Sequence, residues 1–283
     1  MTKFNKQILG GILCVMCADI SAYDLATHAK MANSAYGKSQ LAANDFSIFK
    51  RLGIDSWVLS DSTKKAPFHV GAVDFYYDIA QGQVAVREPK SYELKIMKNV
   101  GLQDEELTVR GWLMRGIIRE DDGGSIAGIF KGEPLDDPLG NINRFCNHFL
   151  DPIYSRSVTG RGFSEFCFYE TPIFDAAQWA LGSQAPFAAL PVENTARRNH
   201  FSIYDARDTM WRALTLRDKA GNPVPPNGFS PEQFRKMYWA TVFRSLGDVM
   251  HLLQDQAQPQ HTRNEGHGKS NKGYEEYIDA RVR

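Results

Sequence analysis

The stretch ending in His251-x-x-x-Asp255 carries the residue types best suited to chemistry. A spacing of four sets both side chains on one face of a helix. His261 follows six residues after the aspartate, just behind Pro259, where a proline-broken turn can return it to the pair. Imidazole nitrogen and carboxylate oxygen both suit zinc, with bonds of about 2.0–2.2 Å, so the three form a candidate metal clasp. The alternative is an ion pair on a solvated face, at the spacing that stabilises helices. Leu252 and Leu253 flank the pair and argue for burial, and a buried charged pair needs partners.

Other candidates lie upstream. His148 sits among Phe145, Cys146, Phe149 and Leu150, ahead of Asp151-Pro152. Alone, such a histidine is more often a core residue than a ligand. Glu120, Asp121 and Asp122 precede Gly123-Gly124, the usual composition of a solvated turn. His28 alone is a helix-surface histidine. His69 follows Pro67-Phe68, near the surface or filling a core gap, and His200 neighbours Arg197 and Arg198 in a basic loop that could meet phosphate. There is neither a Gly-x-Ser-x-Gly elbow nor a P-loop.

The elements that must position these groups are mainly helices. Residues 24–51 repeat Leu25, Ala26, Ala29, Ala32 and Ala35 at helical spacing, and 103–119 place Leu107, Trp112, Leu113 and Ile117 on one side. Residues 141–150 suggest a short helix stopped by Asp151-Pro152, and Ser202 to Arg217 an amphipathic one. The clearest helix starts at Ser230-Pro231-Glu232-Gln233, with an N-cap serine, a first-turn proline and a glutamine three residues after the serine. Phe234, Tyr238, Thr241, Val242, Leu246, Val249 and Leu253 continue its period until Pro259. Val70 to Ala80 is rich in aromatic and β-branched residues and predicts a short hairpin. The expected class is all-α, mainly helical, with minor β-hairpin insertions.

The chain has 283 residues, 43% hydrophobic and 23% charged, which is an ordinary globular composition. Lys+Arg 33 against Asp+Glu 33 excludes a strongly basic nucleic-acid carpet and an acidic tail. Lys3 and Lys6 precede an apolar run from Ile8 to Cys17, and small residues follow at Ser21-Ala22. This layout predicts a secretory signal over residues 1–22, cleaved near Ala22, and a secreted or periplasmic product. A retained N-terminal anchor is the alternative. Cleavage leaves Cys146 and Cys167, as one disulfide or two buried thiols. One domain over 23–283 is expected, and the abrupt end inside a helical pattern from Tyr274 suggests truncation at the C-terminus.

Four local patterns occur in order: Tyr23-x4-His28, Gly116-x4-Asp121, His148-Phe-x-Asp-Pro152 and His251-x3-Asp255-x3-Pro259-x-His261. In that order and at those spacings the chain resembles the superfamily of zinc-dependent phospholipases C and fungal single-strand zinc nucleases, closer to the bacterial phospholipase C-like branch. The likeness runs from about Tyr23 to Asp279. It implies a helical domain holding up to three zinc ions. By matching position, Asp121, His148, His251 and Asp255 would hold one. Asp255 would bridge to a second, held also by His28 and by the amine and carbonyl of a mature N-terminal Tyr23. The third would take His261 and Glu275. Four residues before Glu275 stands Asn271 where the family has histidine, so His267 would have to serve or the third site is incomplete. Asp136 and Asp137 lie nearer His148 and compete with Asp121 for its role.

The same resemblance implies phosphodiester hydrolysis by a metal-activated hydroxide attacking phosphorus in line. In that scheme Asp121 and Asp255 are the catalytic carboxylates, Asp255 bridging metals and Asp121 orienting water. The expected substrate is a phospholipid or another phosphodiester, with no stable membrane span after signal cleavage. The alternatives are a single-strand-type nuclease, which would need aromatic clamps for bases, and an exported zinc-binding protein without turnover, for which Asn271 speaks.

Overall fold

The computed structural model describes residues 25–42, 51–52, 69–70, 73–78, 83–87, 91–102, 108–120, 147–157, 174–182, 199, 201–224, 230–264 and 274–282. In chain order the elements are α1 (Leu25–Lys38), β1 (His69–Val70), β2 (Val73–Asp78), β3 (Gln83–Arg87), α2 (Ser91–Asn99), α3 (Val109–Glu120), α4 (Ala176–Leu181), α5 (Ile203–Thr215), α6 (Pro231–Asp255), α7 (Pro259–Thr262) and α8 (Tyr274–Val282). A single 3₁₀ turn, Gln40–Ala42, follows α1.

Two long helices organise the rest. α6 has 25 residues and packs along both α3 and α5. Its Phe234, Tyr238, Val242 and Phe243 meet Trp112 and Leu113 of α3 in one core cluster. α3 turns Met114, Ile117 and Ile118 the other way, onto Ala29 and Ala32 of α1 and Met97 of α2. A helix covered on both sides must be apolar nearly all round. α3 turns apolar side chains to both neighbours, yet it also buries Arg115, Arg119 and Glu120. Charged groups at such positions mark places where a tertiary partner was required.

The crossing of α3 and α6 is set by two glycines. A Cβ on Gly116 would lie 2.8 Å from Gly247 Cα and closer still to the Arg244 carbonyl oxygen. A Cβ on Gly247 would meet Gly116 Cα at 2.8 Å and crowd the Leu113 carbonyl. Those neighbours are backbone, so no side-chain rotation relieves the clash. Only glycine lets the two helices approach this closely.

The shorter helices end where local chemistry stops them. α5 opens on a capping box: Ser202 Oγ accepts from the Asp205 amide at 3.3 Å, and Asp205 Oδ2 accepts from the Ser202 amide at 2.9 Å. α4 opens on the same device between Asp175 and Gln178, and closes on Gly182 at φ +73°. α6 starts with its proline at the first position, and Pro259 starts α7 four residues after Asp255.

The expected class needs correction. Among the described residues no separate hairpins are inserted into an all-α fold; β1, β2 and β3 form one three-stranded antiparallel sheet in the order β1-β2-β3. It runs to Arg87, beyond the Val70–Ala80 hairpin, with Phe75 opposite Val86 and Tyr77 opposite Val84. Gln83-Val-Ala-Val-Arg87 lacks the aromatics that mark β2, so its pairing to β2 decides its conformation, and β2 lies beside α6. The helix expected over 24–51 stops at Lys38, and that expected over 103–119 is α3 at Val109–Glu120. Only the end of the 141–150 segment is described, as a 3₁₀ turn at 147–148. No described helix is long and apolar enough to cross a membrane.

Candidate metal centre

Five elements converge on Asp255 at the end of α6. α1 brings His28, α3 brings Glu120, the turn at 147–150 brings His148, α6 itself brings His251, and α7 brings His261. His28, Glu120, His251 and Asp255 are fully buried, His148 and His261 within 2% of it. His28 Nε2 lies 3.3 Å from Asp255 Oδ1. On the other oxygen, Oδ2, His148 Nδ1 lies at 2.9 Å, His251 Nε2 at 3.5 Å and His261 Nδ1 at 3.7 Å. The rings of His28 and His251 stack at 3.8 Å between centroids.

The far sides of the rings fix which nitrogen carries a proton. His251 Nδ1 is 2.7 Å from the Ile117 carbonyl oxygen, and His261 Nδ1 is 3.0 Å from that of His148. A carbonyl only accepts, so Nδ1 donates in both, and in the neutral ring the lone pair sits on Nε2. His28 Nδ1 donates to Gln254 Oε1 at 2.7 Å, with the same consequence. Metal-binding histidines are held in this way, with one nitrogen engaged by an oxygen acceptor and the other presented to the ion. Ligand atoms of His28, His251 and Asp255 all lie within 4.8 Å of one another. Ligands of a tetrahedral zinc ion stand roughly 3.3–3.5 Å apart, given bonds of about 2.0–2.1 Å. His28 Nε2 stands 3.3 Å from one oxygen of Asp255 and His251 Nε2 3.5 Å from the other, so each imidazole–carboxylate pair taken singly meets that spacing. The donor set therefore fits a divalent ion.

His148 differs from the other three in having a carboxylate at each ring nitrogen: Nδ1 lies 2.9 Å from Asp255 Oδ2, and Nε2 lies 2.7 Å from Glu120 Oε2. Burial pulls its pKa down, but Glu120 and then Asp255 outweigh burial and hold the imidazole charged well above its ordinary range. Burial and then the neighbouring His28 push His251 well below its ordinary value, so it is neutral. For Asp255, burial works against ionisation, and the imidazoles of His261, His251 and His148 overcome it, holding the carboxyl well below the usual range. Trp179 Nε1–H donates to the second oxygen of Glu120 at 2.9 Å, so both oxygens of that carboxylate are engaged.

The structure thus brings together His28, His148, His251, Asp255 and His261. Tyr23, Asp121 and His267 lie outside the described residues, as do Asp136, Asp137, His200, Cys146 and Cys167. Glu275 belongs to α8, which packs beside α1, and the placement of its side chain lies outside the described structure. Among the described residues Glu120, next to the expected Asp121, meets His148 on the side away from Asp255. A signal for it exists. Glu120 falls four residues after Gly116, on the face of α3 that crosses α6. Trp179 and Gln254 were not indicated by any spacing.

Comparison of the chain with family models, with curated proteins and with solved structures found no match.

Proposed function

We propose that the protein binds zinc through His28, His251 and Asp255, with His148 and His261 completing the surroundings of Asp255. One observation carries this reading: the histidines are held by oxygen acceptors on Nδ1, and two of them direct Nε2 at one buried carboxylate. Two histidines and one carboxylate also suit ferrous iron, so the metal must be identified and not only counted. The test is elemental analysis of the purified chain beside His251→Ala. About one or more zinc per chain, lost in the variant, supports the reading. A chain that carries no zinc after reconstitution sinks it.

A second reading makes this centre hydrolytic, a phospholipase C-like phosphodiesterase exported after cleavage near Ala22. It is favoured by the order of the Tyr23, Gly116, His148 and His251 patterns in the chain. Bound zinc supplies a Lewis acid and lowers the pKa of water toward neutrality. The chain's own groups hold the charges. Asp255 stays ionised and faces four imidazoles. His148 keeps its Nε2 proton on Glu120, and Trp179 keeps Glu120 in place. A mature chain beginning at Tyr23 should then hydrolyse a chromogenic phosphodiester. Chelator should abolish turnover, and lipid and single-stranded DNA substrates should separate phospholipase from nuclease. Zinc binding without turnover on any of these leaves a zinc-binding protein alone.

A further inference from the structure

We infer that the outer face of α5 is a docking surface for a membrane with anionic headgroups. Tyr204, Arg207, Met210, Trp211 and Leu214 follow one stripe of the helix and, with Lys219, line a groove of about 350 Å³. Tyr204, Trp211 and Leu214 are each close to half exposed, and Met210 is 40% exposed. The opposite face is polar or small: Asp205, Ala206, Asp208, Thr209 and Ala213 are buried. This helix turns its largest apolar groups outward and its acids inward, the reverse of an ordinary surface helix. A contiguous apolar patch of this kind marks an interaction site.

The charges on this face select the partner. Arg207 and Lys219 are exposed in the groove, and Arg217 is exposed in the turn that follows. The acids are withdrawn. Asp205 is fully buried, and Asp208 is 6% exposed and pairs with Arg212 at 3.1 Å and Lys219 at 3.3 Å. Asp218 is half-buried and accepts from the amide and side chain of Asn222. An apolar stripe with a basic rim matches an anionic lipid surface. Trp211 is fixed for that role, because its Nε1–H donates to the Asp218 carbonyl at 3.2 Å, leaving the ring at the surface. Single-stranded nucleic acid fits less well. The Lys219 ammonium sits 4.4 Å from the Tyr204 ring centre and occupies one face, and Met210 and Leu214 have no ring on which a base can stack. The inference needs neither a bound metal nor turnover.

The test is co-sedimentation of the full chain with vesicles of phosphatidylcholine, alone and mixed with phosphatidylglycerol. The wild type should bind the mixed vesicles and lose binding as salt rises. Replacing Arg207→Gln and Lys219→Gln together should weaken binding about tenfold or more. Met210→Ser with Leu214→Ser should weaken it at any salt. Leu253→Ser, at another exposed apolar position (71%), should leave it unchanged. Circular dichroism melts matching the wild type show that each variant folds. Equal binding by wild type and face variants overturns the inference. So does failure of the wild type to bind either vesicle. Saturable binding of a single-stranded oligonucleotide, or self-association through this face without vesicles, also overturns it.

Discussion

The metal centre and the outer face of α5 invert the usual distribution of polarity in opposite directions. At the end of α6, four histidines and two carboxylates are buried where apolar side chains would ordinarily pack. On α5, a tyrosine, a tryptophan, a methionine and a leucine stand in solvent where charges would ordinarily be. The first arrangement is costly unless every polar atom is matched, because a buried ion without partners costs several kcal/mol or more. The second costs little for folding, because an exposed apolar side chain forfeits only the burial it never had. A region built against a large cost is organised around what it holds. A region with a small cost is free to be kept for a partner.

That contrast can be broken first at Asp255. Asp255→Ala removes the carboxylate on which the imidazoles converge and leaves the His148 imidazolium without its acceptor. The metal-free protein should lose about 3–5 kcal/mol in chemical denaturation, and zinc should no longer bind. A loss under about 1 kcal/mol would mean that the histidines do not depend on this carboxylate. Next in size is Gly247→Ala. Its Cβ meets backbone of α3, so the crossing must open, at a cost of about 1–3 kcal/mol. The shift should also lengthen the bond from His251 to Ile117, and zinc affinity should fall with stability. Unchanged affinity would show that the crossing does not set the site.

Glu120→Gln sharpens the comparison further. It keeps the shape and removes the charge on one side of His148, a loss of about 1–3 kcal/mol for a hydrogen bond to a charged group. The His148 pKa, followed by proton NMR, should fall. A pKa that stays raised would assign the effect to Asp255 alone.

The pH dependence of the metal-free protein has a definite sign. His148 is raised when folded, so its stabilisation is complete below its ordinary 6.5 and is lost as pH rises through the higher folded value. Asp255 is lowered, so its contribution is present above the usual 3.8 and is lost as pH falls through its folded value. Melting temperature with chelator should peak between these limits. Zinc should move the optimum upward, because the ion takes the place of protons on the ligands. A melting temperature with chelator that keeps rising above pH 8 would contradict the assignment of His148.

The smallest effect on stability belongs to α5. Trp211→Ala with Leu214→Ser should change folding stability by no more than about 0.5 kcal/mol. A cost of about 2 kcal/mol would show that this face is part of the core and not a docking surface.

Much of the centre was legible. The four-residue spacing of His251 and Asp255 placed them on one face of α6, and the proline at position 259 did return His261 beside them. His28 and His148, singled out by pattern, also arrive. Glu120 was hidden because three consecutive acids before two glycines have the composition of a turn. The first of them still belongs to α3. The third strand was hidden because a short run such as residues 83–87 is assigned by its neighbour more than by itself. α5 shows the limit most clearly. Periodicity identified an amphipathic helix over 202–217, but its larger apolar side faces solvent.

By itself the sequence determined where α1, α3, α5 and α6 run for most of their length, where Pro231 and Pro259 bound α6, and which ligand types share a face. Those are local properties, set within one or two turns of chain. Tertiary structure alone decided the rest: that Gly116 and Gly247 bring α3 and α6 into backbone contact, that Ile117 offers its carbonyl to His251, and that Glu120 meets His148. The physical reason is that a helical period states which residues point the same way. What covers that side depends on a neighbour far along the chain.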